Sequence, residues 1–502
     1  MTVSRAASAL TVRARSQHRQ LPRGSAAAAT IVAITAVLEL AYRPGHLNYD
    51  ARYAVLWARD LAHGLTPDYT TPFAPTPHPL QTAVSFLLLP FGDGADRLMI
   101  TLTTVGFGVL VWLVYRLGCE LHSPWVGAVA AAAVLTRPTS ARFAVIGYQD
   151  PVFAALVVGA VLVELRRPRN GARVLAMLAV AGLMRPEAWL LSALYLARMW
   201  PGASPGRRAA FAALAVAAPV LWVAQDWAIA GDPLHSLHGT ATVVEQKGRR
   251  TELGRLPFDA AGYLHYTLRA PLLLGIPIGM AFAWRLGLRR WSFPLLVAAV
   301  LLLFAVAQAV VGLPLIPRYL LTLAALLTLF YGLAAFGWRA LPRGRARERW
   351  RILGVATLAA SAVFLPWHAR VYREMSRDVA NNRKLIADIR LVAEDPTVRS
   401  RFAACGSFSS IGNRPVPDLR YALDGAPGSI HTVAGPVTAV DPLLLVPRAT
   451  KRMFPYYANV LSATKAPPGY RQLYANDSWR VYAARACRTG RLDRPVGDGF
   501  GS

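Results

Sequence analysis

Long apolar blocks alternate with short arginine-rich stretches along most of this chain. A helix that crosses a bilayer needs about 20 predominantly apolar residues, and many of the blocks approach that length. This pattern predicts a mainly α, polytopic membrane protein built as a helical bundle. After a first block at 25–42, the blocks lie at 95–118, 124–139, 150–166, 172–185, 187–200, 207–229, 269–285, 291–311, 317–337 and 350–367.

The first block follows a basic tail, residues 1–24, that contains no acidic residue. A signal peptide is one interpretation of the block, but no small-residue cleavage site follows it, so we favour an uncleaved helix. Under the positive-inside rule the tail stays in the cytoplasm. The apolar stretch at 79–92 is too short to span, and we expect it to lie at the outer membrane surface.

Assigning the loops between successive spans to opposite sides of the membrane tests this arrangement. If 79–92 does not span, the arginine-rich loops at 166–173, 198–208, 285–290 and 339–351 all face the cytoplasm. The prediction is about eleven transmembrane helices in the plasma membrane, with the N-terminus inside and the C-terminus outside.

The predicted domain organisation follows from this topology. A transmembrane module covers 25–367, and an extracytoplasmic domain covers 368–502, with a helix at 376–394 and short strands typical of a small α/β unit. A disulfide between Cys405 and Cys487 is plausible outside the cytoplasm. The alternative is two unrelated buried thiols. The extracytoplasmic segments of the module are 43–94, 140–150 and 230–268.

The formal charge of +28 invites a nucleic-acid partner, but its distribution argues against one. The basic residues lie in short loops between apolar blocks, where they orient helices and contact lipids. They form no stripe interleaved with aromatic residues. We therefore expect membrane lipids and no nucleic acid as partners.

Two aspartates begin predicted helices at the outer face. Asp50 follows the first span, and a carboxylate there could accept a proton from an acceptor hydroxyl. The alternative is a helix cap, since aspartate favours that position. Asp150 precedes Pro151 and has the same two interpretations.

Two arginines mark the outer ends of helices. Arg185, in the sequence Arg185-Pro186-Glu187, interrupts a long apolar stretch, and an arginine there could bind a lipid phosphate through two hydrogen bonds. The alternative is a snorkelling side chain paired with Glu187. Arg318, next to Tyr319, poses the same choice. Two such arginines on one face favour an anion site.

The motifs of soluble nucleotide enzymes are absent. The sequence has no G-x-x-x-x-G-K-[ST], no Rossmann glycine set and no H-E-x-x-H. An enzyme acting outside the cytoplasm needs its activated donor delivered on a lipid.

A series of short motifs follows in a fixed order along the chain. The motifs are Asn48–Tyr53, Leu61–Gly64, Pro77–Leu80, Phe91–Gly92 with Arg97, Asp150, Arg185–Glu187, Gly231–Ser236 and Arg318–Tyr319. By their order and spacing they resemble the GT-C glycosyltransferases, in the branch of protein O-mannosyltransferases and bacterial aminoarabinose transferases. Gly231–Ser236 is similar to a loop of actinobacterial members, and His78 separates two prolines that the family usually has together.

The resemblance implies an inverting transfer of a sugar from a polyprenyl-phosphate donor to a glycan, lipid or protein acceptor. Asp50 would be the general base, and Asp150 would assist it or orient a ligand. Members differ in their need for a divalent cation such as Mg²⁺ or Mn²⁺, and no ligand cluster in the sequence decides this. Arg185, Arg318, Tyr319 and His78 would bind the donor phosphate, and Asn48, Tyr53, Glu187, His235 and His238 the substrates.

Three other functions compete with the transferase. A transporter or flippase of polyprenyl-linked sugars predicts mid-membrane charges and an internal repeat, and neither is visible. A non-catalytic scaffold with an external binding domain predicts that Asp50 is dispensable. A degenerate transferase would keep the fold without activity. The charged residues cluster at the predicted outer ends of the helices and not near mid-membrane, which favours the transferase.

Overall fold

The computed structural model describes residues 24–42, 45–248, 252–433, 442–448 and 468–484. Within these ranges the chain forms nineteen α-helices and one sheet. The helices are α1 Gly24–Ala41, α2 Tyr49–Ala62, α3 Pro79–Leu88, α4 Gly94–Leu121, α5 Pro124–Leu135, α6 Pro138–Val145, α7 Asp150–Arg166, α8 Gly171–Gly182, α9 Glu187–Met199, α10 Pro205–Ala230, α11 His235–Gln246, α12 Leu256–Leu268, α13 Ala270–Arg285, α14 Ser292–Val310, α15 Leu321–Phe336, α16 Arg345–Val363, α17 Leu365–Glu394, α18 Pro396–Cys405 and α19 Val416–Leu423.

The chain divides into two compact units. The first comprises residues 1–48 and 77–379, and the second comprises residues 49–76 and 380–502. Helix α2 therefore belongs to the same unit as the C-terminal region, although the sequence assigned it to a loop of the membrane module. The unit boundary falls inside α17.

The first unit is a bundle centred on α15. This helix is apolar on every side, and every residue from Leu321 to Ala335 is buried. A helix that is hydrophobic all round belongs in the core of a bundle. Helices α5, α13 and α16 pack around it, and α4 packs against both α5 and α7.

Glycines let the central helices approach closely. A Cβ on Gly279 of α13 would lie 1.8 Å from the Phe330 carbonyl oxygen of α15. A Cβ on Gly332 would lie 2.4 Å from the Val126 carbonyl oxygen of α5. Small residues at such crossings are what allow membrane helices to pack backbone to backbone.

We expect Gly279→Ala to unfold at a lower temperature than the wild type in detergent. The added methyl would force α13 and α15 apart, and overpacking of this kind costs about 1–3 kcal/mol. Gly262→Ala is the matched control, because no atom outside its own helix lies within 4 Å of the position its Cβ would take. Equal unfolding temperatures for the two variants would show that the crossing tolerates a methyl group.

The predicted class of polytopic membrane protein is confirmed. Among the described residues, five helices are long and apolar enough to cross a bilayer, and the number rises to eight if each of three bent helix pairs counts as one span. The predicted blocks at 124–139, 172–185 and 187–200 contain helices of 12, 12 and 13 residues. The stretch at 79–92 forms the short apolar helix Pro79–Phe91. The eleven-span arrangement stays a prediction.

Two predicted extracytoplasmic segments contain helices, and one predicted helix boundary was wrong. Helix α6 occupies much of the segment 140–150, and α11 and α12 occupy much of 230–268, whose side of the membrane stays a prediction. Pro138 stands at the start of α6, where its missing N–H is tolerated, so the block at 124–139 breaks into two helices. The predicted helix 376–394 begins at Leu365, with Pro366 in its first turn.

The described part of the second unit contains a five-stranded sheet. The strands are β1 Phe408–Ser410, β2 Ile430–Thr432, β3 Leu443–Pro447, β4 Tyr470–Ala475 and β5 Trp479–Ala484. Their order in the sheet is β2-β1-β3-β5-β4, with β1 parallel to β2 and β3, and with β5 antiparallel to β3 and β4. Fully buried Phe408, Leu443 and Trp479 form its core with Leu419 of α19. This confirms the small C-terminal sheet.

The cysteines differ in state. Cys405 at the end of α18 is disulfide-bonded, whereas Cys119 of α4 is a buried free thiol. Cys487, the predicted partner of Cys405, lies outside the described residues. The pairing of these two cysteines stays a prediction.

Candidate functional site

A buried cluster of charges forms around Arg185, in the turn between α8 and α9. The Arg185 side chain is only 7% exposed. Its Nε and Nη2 donate to Glu187 Oε1 at 3.0 and 2.8 Å, and its Nη1 donates to the Asp150 carboxylate. The ion pair between Arg185 and Glu187, which was the alternative interpretation of this arginine, is therefore present. Asp150, which begins α7, joins it.

The cluster keeps unused hydrogen-bonding capacity. A guanidinium carries five N–H donors, and the three bonds of Arg185 leave two of them. In the described part of the chain, Asp150 Oδ2 and Glu187 Oε2 are buried acceptors without a hydrogen-bond partner. Buried charges require partners, because their desolvation is costly. The cluster is thus suited to a polar ligand or an ordered water.

One tyrosine ring links the two arginines that the sequence singled out. The Tyr319 ring centroid lies 4.1 Å from Arg185 Cζ and 5.7 Å from Arg318 Cζ. Arg318 Cζ also lies 4.6 Å from the centroid of Tyr148. Cations within about 6 Å of a ring centroid are attracted by its π-electrons. Arg185 and Arg318, far apart in sequence, are therefore neighbours in the first unit.

Backbone acceptors fix the turn that carries Arg185. Gln149 Nε2 donates to the Met184 carbonyl oxygen at 3.0 Å, and Trp189 Nε1 donates to the Gly182 carbonyl oxygen at 2.9 Å. The Leu80 N–H at the start of α3 donates to the Leu183 carbonyl oxygen at 3.2 Å. These bonds connect the turn to the starts of α3, α7 and α9.

His78 lies at the N-terminal end of α3 in an aromatic group. Its ring centroid is 5.6 Å from that of Trp222 in α10, in an edge-to-face arrangement. Trp222 is also 5.5 Å from Trp189 of α9, again edge to face. The extra residue between the two prolines thus packs against tryptophan.

The predicted histidines of the third segment belong to α11. His235 is its first residue, and Ser236 donates from both N and Oγ to the Asp226 carboxylate. His238 Nδ1 lies 2.6 Å from Asp232 Oδ2 at the surface. The Leu234 N–H and the contact with His238 lower the pKa of Asp232. These contacts stabilise the start of α11.

The candidate site residues that follow the first span belong to two different units. Asn48 belongs to the first unit, where it is buried and its Nδ2 donates to the Ile146 carbonyl oxygen at 2.8 Å. Asp50 lies in the first turn of α2 in the second unit and is half-buried. Tyr53 of α2 is buried, with ring centroids of Tyr49 and Trp57 at 5.0 and 5.4 Å. Tyr53 is a core residue of its unit.

The described residues contain no group of three histidine, cysteine or acidic side chains that could hold a metal ion.

Two residues at this site were given no role from the sequence. Tyr148 lies against Arg318, and Gln149 donates to the turn that carries Arg185. Tyr148 and Gln149 directly precede Asp150, and that adjacency was the available signal.

Comparison with known proteins identifies the fold. No family model matches the sequence, and no curated protein matches it. Among solved structures, ArnT from Cupriavidus metallidurans bound to undecaprenyl phosphate aligns with a TM-score of 0.55 and 13% identity, over 92% of this chain and 98% of that one. The arabinofuranosyltransferase AftD from Mycobacteria aligns with a TM-score of 0.52 and 14% identity, over 93% of this chain and 40% of that one.

The chain has the GT-C fold. The resemblance predicted from the sequence is thereby confirmed at the level of architecture. At identities of 13% and 14% the likeness establishes the fold alone.

Proposed function

We propose that this protein is an integral-membrane glycosyltransferase that moves a sugar from a polyprenyl-phosphate donor to a hydroxyl of a glycan, lipid or protein acceptor. The observation that carries the proposal is the pair of arginines, Arg185 and Arg318, gathered on the Tyr319 ring. A structure with the same fold is bound to undecaprenyl phosphate, a lipid phosphate of the kind that such a donor would release.

The arginine cluster supports a phosphate site. The two carboxylates hold the Arg185 guanidinium in one orientation, and its two remaining N–H groups match the fork geometry that phosphate oxygens accept. Arg318 adds a second positive charge beside the same ring. Together they would stabilise the charge that develops on the departing phosphate. We assign Asp150 and Glu187 the role of orienting Arg185, and His78 stays a proposed phosphate contact.

The reaction we propose is a single displacement. The acceptor oxygen attacks the anomeric carbon, the bond from that carbon to the phosphate oxygen breaks, and polyprenyl phosphate leaves with the electron pair. Asp50, proposed as the base from its place in the sequence, takes the proton of the acceptor hydroxyl. Attack opposite to the leaving group inverts the configuration at that carbon.

A direct assay tests the proposal. The purified protein is incubated with polyprenyl-phosphate mannose, arabinose or glucose and with cell-envelope glycan, lipid or peptide acceptors. Mass spectrometry should detect both the glycosylated acceptor and the released polyprenyl phosphate. Movement of an intact donor across vesicles without release of polyprenyl phosphate would support a flippase instead.

We also propose the eleven-span topology with the second unit outside the cytoplasm. The disulfide at Cys405 supports it, because disulfides persist in oxidising compartments. Alkaline phosphatase fused at the C-terminus should be active. A fusion within the basic loop at 339–351 should be inactive, since that loop is predicted to face the cytoplasm. An inactive C-terminal fusion together with an active loop fusion would reverse the topology.

A further inference from the structure

Arg420 of α19 is a fully buried cation in the second unit. Its Nη2 donates to Asp60 Oδ1 at 2.6 Å, and its Nη1 donates to Asp68 Oδ1 at 2.8 Å. Asp60 lies near the end of α2, and Asp68 lies in the segment that follows. One guanidinium from the C-terminal part of the chain thus bridges two carboxylates of the segment that begins with Asp50.

Two further ion pairs join the same two parts of this unit. Arg52 of α2 is 2% exposed, and its Nε donates to Asp418 Oδ1 of α19 at 2.8 Å. Its Cζ lies 4.5 Å from the ring centroid of Tyr421. Arg59 pairs with Asp424 at 2.9 Å, where the aspartate is 79% exposed. We call the contacts of Arg52 with Asp418 and of Arg420 with Asp60 and Asp68 the ionic clamp, and the exposed Arg59–Asp424 pair lies outside it.

The clamp specifies one register between α2 and α19. Each side contributes both signs of charge: Arg52 and Asp60 on α2, and Asp418 and Arg420 on α19. A shift along either helix would bring like charges together in a buried place. Breaking one partner of a buried pair is strongly unfavourable, so this arrangement holds α2 in a single position.

The location of the Asp50 carboxylate depends on the position of α2, because Asp50 lies in the first turn of that helix. The residues from Ala51 to Ala58 are all buried, whereas Asp50 at the start of the helix is half-buried. Arg52, the first clamp residue, is two positions from Asp50. A rigid-body shift of α2 would therefore move the Asp50 carboxylate directly.

We propose that the ionic clamp positions Asp50 for catalysis, with Arg52, Asp418 and Arg420 as positioning residues. The C-terminal region is then an obligatory part of the transferase and more than an accessory binding domain. This inference rests on the proposed function, because it acts through Asp50 as base. Misplacing a reacting group by about 1 Å can lower a rate about 100-fold, which sets the scale of the effect.

The test uses full-length protein and a pair of matched variants. Asp418→Asn removes a clamp charge whose side chain is only 11% exposed, whereas Asp424→Asn removes a 79% exposed charge outside the clamp, at the C-cap of the same helix. We expect Asp418→Asn to lower kcat by about 10- to 100-fold with donor KM unchanged. Asp424→Asn should keep wild-type kcat, because exposed ion pairs contribute little. Arg420→Lys serves as the second variant if Asp418→Asn does not fold.

A double-mutant cycle separates positioning from plain stability. If the clamp acts through Asp50, Asp418→Asn should cause no further loss of kcat in an Asp50→Asn background. Hydrogen exchange should also rise in 49–62 in Asp418→Asn and not in Asp424→Asn. Additive losses of kcat, or unchanged kcat with unchanged exchange, would overturn the clamp proposal. Wild-type transfer by Asp50→Asn alone would instead overturn the base assignment, and the exchange measurement would still report on the clamp.

Discussion

Replacing Asp50 by asparagine should lower kcat for sugar transfer by about 10²- to 10⁴-fold, the usual contribution of a general base. Asparagine keeps the shape of aspartate and its ability to begin a helix, but it cannot accept a proton from the acceptor hydroxyl. Donor KM should therefore stay close to the wild-type value. Initial rates at saturating donor and acceptor measure kcat, and thermal unfolding in detergent checks the fold.

Asp93→Asn is the matched control for this experiment. Asp93 is an exposed carboxylate at the N-cap of α4, and its side chain makes no capping hydrogen bond. We expect this variant to transfer sugar at the wild-type rate. Wild-type turnover by Asp50→Asn would show that Asp50 serves only the start of α2, where a negative charge stabilises the helix end.

Arg185→Ala should both destabilise the protein and abolish donor use. Removing the guanidinium leaves Asp150 and Glu187 as uncompensated buried charges, and losing one partner of a buried pair costs about 3–5 kcal/mol. Arg185→Lys keeps the charge but loses the planar fork, so it should not restore activity. We expect kcat/KM to fall about 10²- to 10³-fold in the lysine variant, the range seen when one electrostatic donor is lost.

A triple variant distinguishes a structural arginine from a functional one. Asp150→Asn, Arg185→Met and Glu187→Gln together remove the three paired charges around Arg185 and leave Arg318 in place, while keeping side chains of similar volume. Replacing a whole buried ion cluster is often neutral for stability, so this variant should unfold near the wild-type temperature and stay inactive. Wild-type transfer by the triple variant would mean that Arg185 does not bind the donor phosphate. Arg173→Ala, at an exposed position of α8, controls for loss of positive charge.

The class of fold was predictable because hydropathy is a local property. Whether a block such as 95–118 prefers the bilayer depends mainly on its own residues, and α4 indeed forms a long apolar helix there. The turn at Arg185-Pro186-Glu187 was equally local, since proline and charge interrupt an apolar run. The helices within 230–268 are short, at 12 and 13 residues, and the sequence did not predict them.

The partners of the charged residues could not be predicted from the sequence. Arg185 and Asp150 are separated by 35 positions, and Arg420 and Asp60 by 360. Neither pairing leaves a periodic signal in the sequence, because an ion pair depends only on where the fold brings two side chains. The same holds for the Tyr319 ring shared by Arg185 and Arg318.

The sequence alone determined that this chain is a membrane bundle with a small sheet near its C-terminus, and that its notable charges sit at helix ends. Tertiary structure decided which of those charges meet. It paired Arg185 with Asp150 and Glu187, and it joined α2 to α19 in one unit through Arg420. The physical reason is that burial preferences add up residue by residue along the chain, whereas a buried charge is stable only beside a partner that folding supplies.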